Sequence, residues 1–199
     1  MYCSLKARDG RQTAAGFYHG AMKRFFLALT LLAGLAGPAT AQVAKSADLE
    51  SLQAGVVCPP ESVGYREAPG TITGRAYIID EIPDFVAETH IVPAVIGVGF
   101  GVKLQGVPDL PTESVTVILR HPPMGPNGVT RQEYSSSVSG EGPTFSFFQF
   151  DYPYELVQGR WSFEARRGDQ LLYRAFFEVV APQEVPALAD ICNYRDLLS

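Results

Sequence analysis

"GVGFGVKLQG", Gly97 to Gly106, alternates with a period of two. Val98, Phe100, Val102 and Leu104 fall on one face; Gly97, Gly99, Gly101, Lys103 and Gln105 fall on the other. Such alternation puts an apolar row on one side of a pleated strand, so the first set is expected to face a core. The glycine row has no side chains to pack. It either admits another segment at close range or marks bulges.

The same period recurs on both sides. "SVTVILR" turns Val115, Val117 and Leu119 inward, and "RWSFEAR" points Trp161, Phe163 and Ala165 one way and Ser162, Glu164 and Arg166 the other. Gly168-Asp169 turns the chain into "LLYRAFFEVV". "TITGRAYIID" opens the series, and Pro83 blocks its continuation. "ETHIVPA", interrupted by Pro93, reads as an edge strand, and "TRQEYSSSVS" as a polar, peripheral one. About eight short strands in ~110 residues, with turn signals every ~8 to 12 and no helical period, predict an all-β domain. The expected fold is an immunoglobulin-like antiparallel β-sandwich of about seven to nine strands over residues 71–180. A small up-and-down barrel is the alternative. Phe100, Val117, Trp161 and Phe163 are its expected core. "ELVQGRW" is expected to build the corner that brings Trp161 between the sheets.

The flanks read differently. Residues 42–70 form an N-terminal extension carrying Cys58, in which "SADLESLQAG" predicts a short helix capped by Ser46 and closed by Gly55. Residues 181–199 form a C-terminal extension with a helical turn near Ala187 to Ile191 and Cys192. Ahead of these, Met22 opens a basic n-region (Lys23, Arg24), an apolar stretch from Phe25 to Leu35 and an Ala39-Thr40-Ala41 cleavage pattern. Residues 22–41 therefore read as a secretory signal peptide, with a retained anchor helix as the alternative. Residues 1–21 read as a mis-assigned upstream segment expected to lack order. Export, to the periplasm, is the expectation. In an oxidising compartment Cys58 and Cys192 are expected to form a disulfide, with two buried free thiols as the alternative.

The whole chain has 16 Lys and Arg against 21 Asp and Glu. Residues 1–41 hold Lys6, Arg8, Arg11, Lys23 and Arg24 and one acid, Asp9, so the mature chain keeps 11 bases and 20 acids, a net of −9. An acidic chain without a basic stripe argues against nucleic acid and anionic membrane surfaces. After cleavage no apolar run approaches the ~18 residues of a membrane helix, so no membrane is expected as partner.

"HPPM", His121 to Met124, places two soft-metal ligand types after an apolar strand. Three readings stand. His121, Met124 and His90 could bind copper, which requires them to converge within ~5 Å of a common point. The Pro122-Pro123 segment could belong to a partner-binding loop. Or Pro122 ends the strand, His121 caps it, Met124 covers the core end and Gly125-Pro126-Asn127-Gly128 reverses the chain. No catalytic residue, metal or cofactor is assigned. Ser135, Ser136, Ser137 and Ser139 lie in a polar stretch without a G-x-S-x-G elbow. Asp80, Glu81, Asp84 and Glu88 lack calcium-loop spacing and read as a solvated edge. "TFSFFQFDY" is aromatic on both faces: Phe148, Phe150, Tyr152 and Tyr154 share one, Phe145 and Phe147 the other. Either a bulge near Phe147-Phe148 or a flanking extension covers the rings, or they form an exposed strip for a protein or sugar.

"HPPM" after an apolar strand, "IVPA" before the glycine strand, and "ELVQGRWSFE" followed by "FFEV" together resemble a bacterial family, the domain of unknown function 3859, over roughly Gly70 to Val180. Gln158 stands where the family has proline before Gly159, a change confined to a turn. The resemblance implies no catalytic or ligand residue. The functional expectation is an exported, non-catalytic binding or accessory module for a protein or glycan, with His121, Pro122, Pro123, Met124, Phe148, Phe150, Tyr152 and Tyr154 as candidate contacts. Copper binding through His121 and Met124 is the alternative.

Overall fold

The computed structural model describes residues 43–58 and 62–198. Residues 1–21, expected to be an upstream segment, and residues 22–41, expected to be a signal peptide, lie outside the described residues. Among the described residues eleven strands run in chain order: β1 Val43–Lys45, β2 Leu49–Val57, β3 Ser62–Glu67, β4 Arg75–Ile79, β5 Ile91–Pro93, β6 Gly99–Gly106, β7 Glu113–Met124, β8 Val129–Val138, β9 Thr144–Gln149, β10 Gly159–Arg167 and β11 Gln170–Val180. One sheet follows the order β1-β11-β10-β7-β8, with β5 also on β11; the second follows β2-β6-β9; β3 and β4 form a separate ribbon. All pairings are antiparallel except β5 with β11. The six-stranded and three-stranded sheets pack face to face as an immunoglobulin-like sandwich.

The alternation in β6 builds the core. Phe100 sits between the sheets, and its ring meets Trp161, Phe163 and Phe177 at centroid distances of 5.5, 5.8 and 5.1 Å. Phe100, Val117, Trp161 and Phe163 are all fully buried, as expected of the core. Trp161 Nε1 donates to the Val157 carbonyl at 3.0 Å, so the corner before β10 satisfies the indole as it delivers it. Glu164 is buried on the other face of β10, where Arg166 and Arg174 hold it. Burial opposes its ionisation, and the two arginines outweigh that, holding the carboxyl below its usual range.

The glycine row admits aromatic neighbours. A Cβ on Gly101 would lie 2.6 Å from Phe147 Cα and would also overlap the Ser146 carbonyl. A Cβ on Gly55 of β2 would lie 2.5 Å from Phe85 Cγ. Gly101 lets the paired main chain of β9 close in, and Gly55 lets the Phe85 ring lie against the sheet, more closely than any side chain permits. Gly101→Ala should therefore cost about 1–3 kcal/mol, because main-chain atoms of β9 must shift. Gly64→Ala, with open space around the new carbon, should stay within roughly 0.5 kcal/mol when both variants are unfolded in urea.

Two local expectations change. Ser46 to Gly55 is not a helix; Leu49–Val57 pairs along β6 as β2, and Leu52, Ala54 and Val56 take alternating strand positions. The long-range ladder outweighs the local helix signals of this segment. Residues 42–70 are thus less an extension than a supplier of β1, β2 and β3. Cys58, at the end of β2, is bonded to Cys192 with Cα atoms 5.1 Å apart. The C-terminal residues fold as short 3-10 turns, including Pro186–Leu188, whose Leu188 is buried with Ala189, Cys192 and Tyr194.

Candidate functional site

The proline pair does not stop its strand. β7 continues to Met124, which pairs with Val129, and the register shifts between Arg120 and Met124. Proline is tolerated there because the irregularity already interrupts the ladder. The turn itself lies where expected, with Gly128 N–H donating to the Gly125 carbonyl at 3.2 Å.

His121 is 6 % exposed and lies against Trp161, ring centroids 4.7 Å apart. Its Nδ1 donates to the Pro122 carbonyl at 2.8 Å, which leaves Nε2 to accept from Gln132 Nε2 at 3.1 Å. Gln132 Oε1 accepts the Ile72 N–H at 2.8 Å, so one relay joins β7, β8 and the loop between β3 and β4. Met124 is 1 % exposed in the core. His90 donates through Nδ1 to the Phe176 carbonyl at 2.6 Å, just before β5. β5, β11, β10 and β7 lie in that order, so three strand spacings, about 14 Å, separate His90 from His121. The three copper ligands do not converge. Among the described residues no group of three or more His, Cys, Asp or Glu side chains is placed to hold a metal ion.

Burial holds His121 below its ordinary value of 6.5, with the Pro122 carbonyl pulling the other way. As pH falls through the unfolded value near 6.5, the unfolded chain takes up the proton first, so stability declines until the folded ring is protonated too. His121→Gln should flatten this decline when urea unfolding is compared between pH 7.5 and pH 5. Equal slopes would contradict a buried neutral ring.

The aromatic strip divides in three. Phe148 and Phe150 face the core, with Phe148 5.1 Å and Phe150 5.9 Å from Trp161. Phe145 and Phe147 stack on the outer face at 4.8 Å, with Phe85 5.8 Å from Phe145. No bulge turns them inward: Phe145 to Phe148 keep one register with Lys103 to Phe100. Tyr152 and Tyr154 lie beyond the strand, around the 3-10 turn Pro153–Glu155, stacked at 5.3 Å and exposed. The strip is therefore not one surface. The acidic residues Asp80, Glu81, Asp84 and Glu88 are all exposed, and Asp84 pairs with Lys103 at 3.3 Å.

These tyrosines stand beside a cavity of about 330 Å³. The β3–β4 ribbon forms one wall through Arg66, Arg75 and Tyr77, and β9 forms another through Phe147, Phe148 and Gln149. The ribbon is fastened at β8: Glu133 N–H donates to the Gly70 carbonyl at 2.9 Å, Ile72 reaches Gln132, and Arg66 donates to the Ser135 carbonyl. It does not pair with β9. The cavity is the gap between ribbon and β9, at the open side of the sandwich.

Asp151 and Glu155 close one end of it. Glu155 is 4 % exposed, and its Oε2 accepts the N–H groups of Asp151 and Tyr152 at 2.6 and 3.0 Å. Asp151 Oδ1 accepts from Gln149 Nε2 at 3.0 Å. Burial raises both carboxyls above their usual range, more than these hydrogen bonds lower them. Tyr134 also lines the cleft, and its hydroxyl is buried without a hydrogen-bond partner. Of the candidate contacts chosen from sequence, only Phe148 lines this cleft, with Tyr152 and Tyr154 next to its acidic end; Pro122, Pro123 and His121 do not. Phe145 and Phe147, noted as the second face of the aromatic strip, line it as well, whereas Tyr77, Asp151 and Glu155 were missed. The one signal was a strand, "FSFFQF", aromatic on both faces.

No curated protein matches the chain. Among solved structures it is similar to an immunoglobulin-like protein (PA1606) from Pseudomonas aeruginosa, at 22 % identity over 71 % of this chain and 99 % of that chain, with a TM-score of 0.43. Residues 45–179 match the family model of the domain of unknown function 3859 (DUF3859), a span that opens ahead of β2 rather than near Gly70, and the chain belongs to that family.

Proposed function

We propose that this chain is an exported, non-catalytic binding or accessory module whose protein or glycan ligand enters the cleft between β9 and the β3–β4 ribbon. The observation that carries this is the cleft itself: about 330 Å³, partly aromatic, and beside the exposed tyrosines 77, 152 and 154. Volumes of about 300 to 1,000 Å³ with mixed apolar and polar walls are typical of ligand sites. Exposed tyrosines are common at recognition surfaces because one ring supplies both apolar area and a hydroxyl. The Cys58–Cys192 bond and the signal-like residues 22–41 support export to an oxidising compartment, the periplasm. The non-catalytic reading draws support from His90 and His121, the two described histidines, whose rings are bound to main-chain carbonyls and Gln132 rather than to a serine hydroxyl.

A photo-crosslinking residue at position 77, at the cleft, and one at exposed Ile191 test this in the source cell, alongside a glycan array. Adducts specific to position 77, or a defined glycan on the array, are the expected result. Adducts at neither position or equally at both, together with a blank array, would remove the binding reading.

A further inference from the structure

Side chains of a strand alternate between faces, so a cavity touching only a face meets every second residue. This cleft meets Arg75, Ala76 and Tyr77 of β4 in succession, and Phe147, Phe148 and Gln149 of β9 in succession. It therefore reaches past the faces of β4 and β9 to their edges, while it meets one face of β8 through Gln132, Tyr134 and Ser136. Among the described residues β9 is terminal in its sheet and β4 has β3 as its one neighbour. Just past β9, Phe150 exchanges main-chain bonds with the two residues before β6, donating to the Val98 carbonyl at 3.1 Å and accepting from Gly97 at 2.7 Å. By the alternation of an antiparallel ladder, Phe148 and Ser146 also turn towards β6, while Phe145, Phe147 and Gln149 turn their N–H and C=O groups outward. Two unpaired strand edges thus border one gap. Such edges are templates for another strand.

The acidic end favours a basic group on the part of the ligand that reaches it. Among the described residues neither Asp151 nor Glu155 is in an ion pair, and Glu155 Oε1 accepts no hydrogen bond. The stacked Tyr152–Tyr154 pair offers ring faces that attract cations. Arg66 and Arg75 also line the cleft and keep their charge; Arg66 is held by the Ser135 carbonyl and the Tyr134 ring and Arg75 over the Tyr65 ring at 4.2 Å, so a basic ligand group is expected at the Asp151–Glu155 end and not along the whole cleft.

We infer that the cleft takes an extended polypeptide segment carrying lysine or arginine, which adds as a strand to the free edge of β9 and sets its basic side chain against Asp151, Glu155 and the tyrosine pair. This rests on the binding reading above and narrows it to one ligand class. A glycan would use the aromatic rings but not the two strand edges.

The test uses the mature, oxidised protein and fluorescent, end-blocked hexapeptides that alternate valine with lysine, with glutamate or with serine. Two further copies of the lysine peptide carry N-methyl groups, one on the valines and one on the lysines. The lysine peptide should bind most tightly, and Asp151→Asn should weaken it by roughly tenfold, the scale of one charge-assisted hydrogen bond, and weaken the serine peptide less. At least one N-methylated copy should also lose roughly tenfold, because it lacks the donors a ladder needs. Equal binding of the lysine and glutamate peptides, or no loss with either N-methylated copy, would overturn the inference. If no peptide binds but crosslinks at position 77 or the glycan array report a ligand, the polypeptide inference falls and the binding reading stands; if all are blank, both fall.

Discussion

Trp161→Ala should lower the unfolding free energy by about 3–5 kcal/mol. The indole is fully buried and packs against Phe100, Phe148, Phe150 and His121, residues of three different strands and the end of β9. Its removal leaves a cavity lined by rigid rings that collapse poorly, and it strips the Val157 carbonyl of its donor. Urea unfolding followed by far-UV circular dichroism measures the loss, since the variant removes the chain's single tryptophan. Trp161→Phe, which keeps most of the volume, should cost less than the alanine variant. A loss below about 1 kcal/mol for alanine would contradict a packed core position.

The second large effect is expected at the disulfide. Cys58 and Cys192 are 134 residues apart in sequence. In the chain-entropy model, closing so long a loop restricts the unfolded chain by roughly 4–5 kcal/mol. Replacing both cysteines by serine should remove stability of this order, measured in urea against the oxidised protein. The C-terminal turns should loosen first, since the bond ties Cys192 and its neighbours Leu188, Ala189 and Tyr194 to the end of β2. Thiol titration of the unfolded, unreduced mature protein should find no free thiol; finding two would exclude the bond.

The sandwich was legible where one face of a strand is buried and the other is not. Val98 to Leu104 and Trp161 to Ala165 carry their partners' positions in their own alternation, because a slip of one residue would turn every apolar group to solvent. β2 was not legible. Ser46, Asp48 and Glu50 carry local helix-start chemistry, and only the ladder to β6, fifty residues on, overrides it. Pro122 and Pro123 misled for a related reason: proline argues against a strand unless a bulge accommodates it, and the bulge is a property of the pairing with β8.

The cleft was less legible than the core. Phe145 and Phe147 announced that β9 has two apolar faces, but what covers the second is set by Phe85 and by close approach over Gly101. Tyr77 lies about seventy residues from Asp151 and Glu155 in sequence, and no local pattern links them. A gap between strand edges has no sequence period at all, because it consists of main-chain groups left unpaired. His121 and Met124 show the converse. Their chemistry is conspicuous in sequence, yet the fold spends both inside, one in a hydrogen-bond relay and one in the core.

The claim that β9 offers a free edge is tested most directly by residue-resolved amide hydrogen exchange in the free protein. Ser146 and Phe148 should be protected by their bonds to β6, and Phe145, Phe147 and Gln149 should exchange far faster. Equal, strong protection of all five amides would show that the outer edge is already paired and that the cleft has no place for another strand.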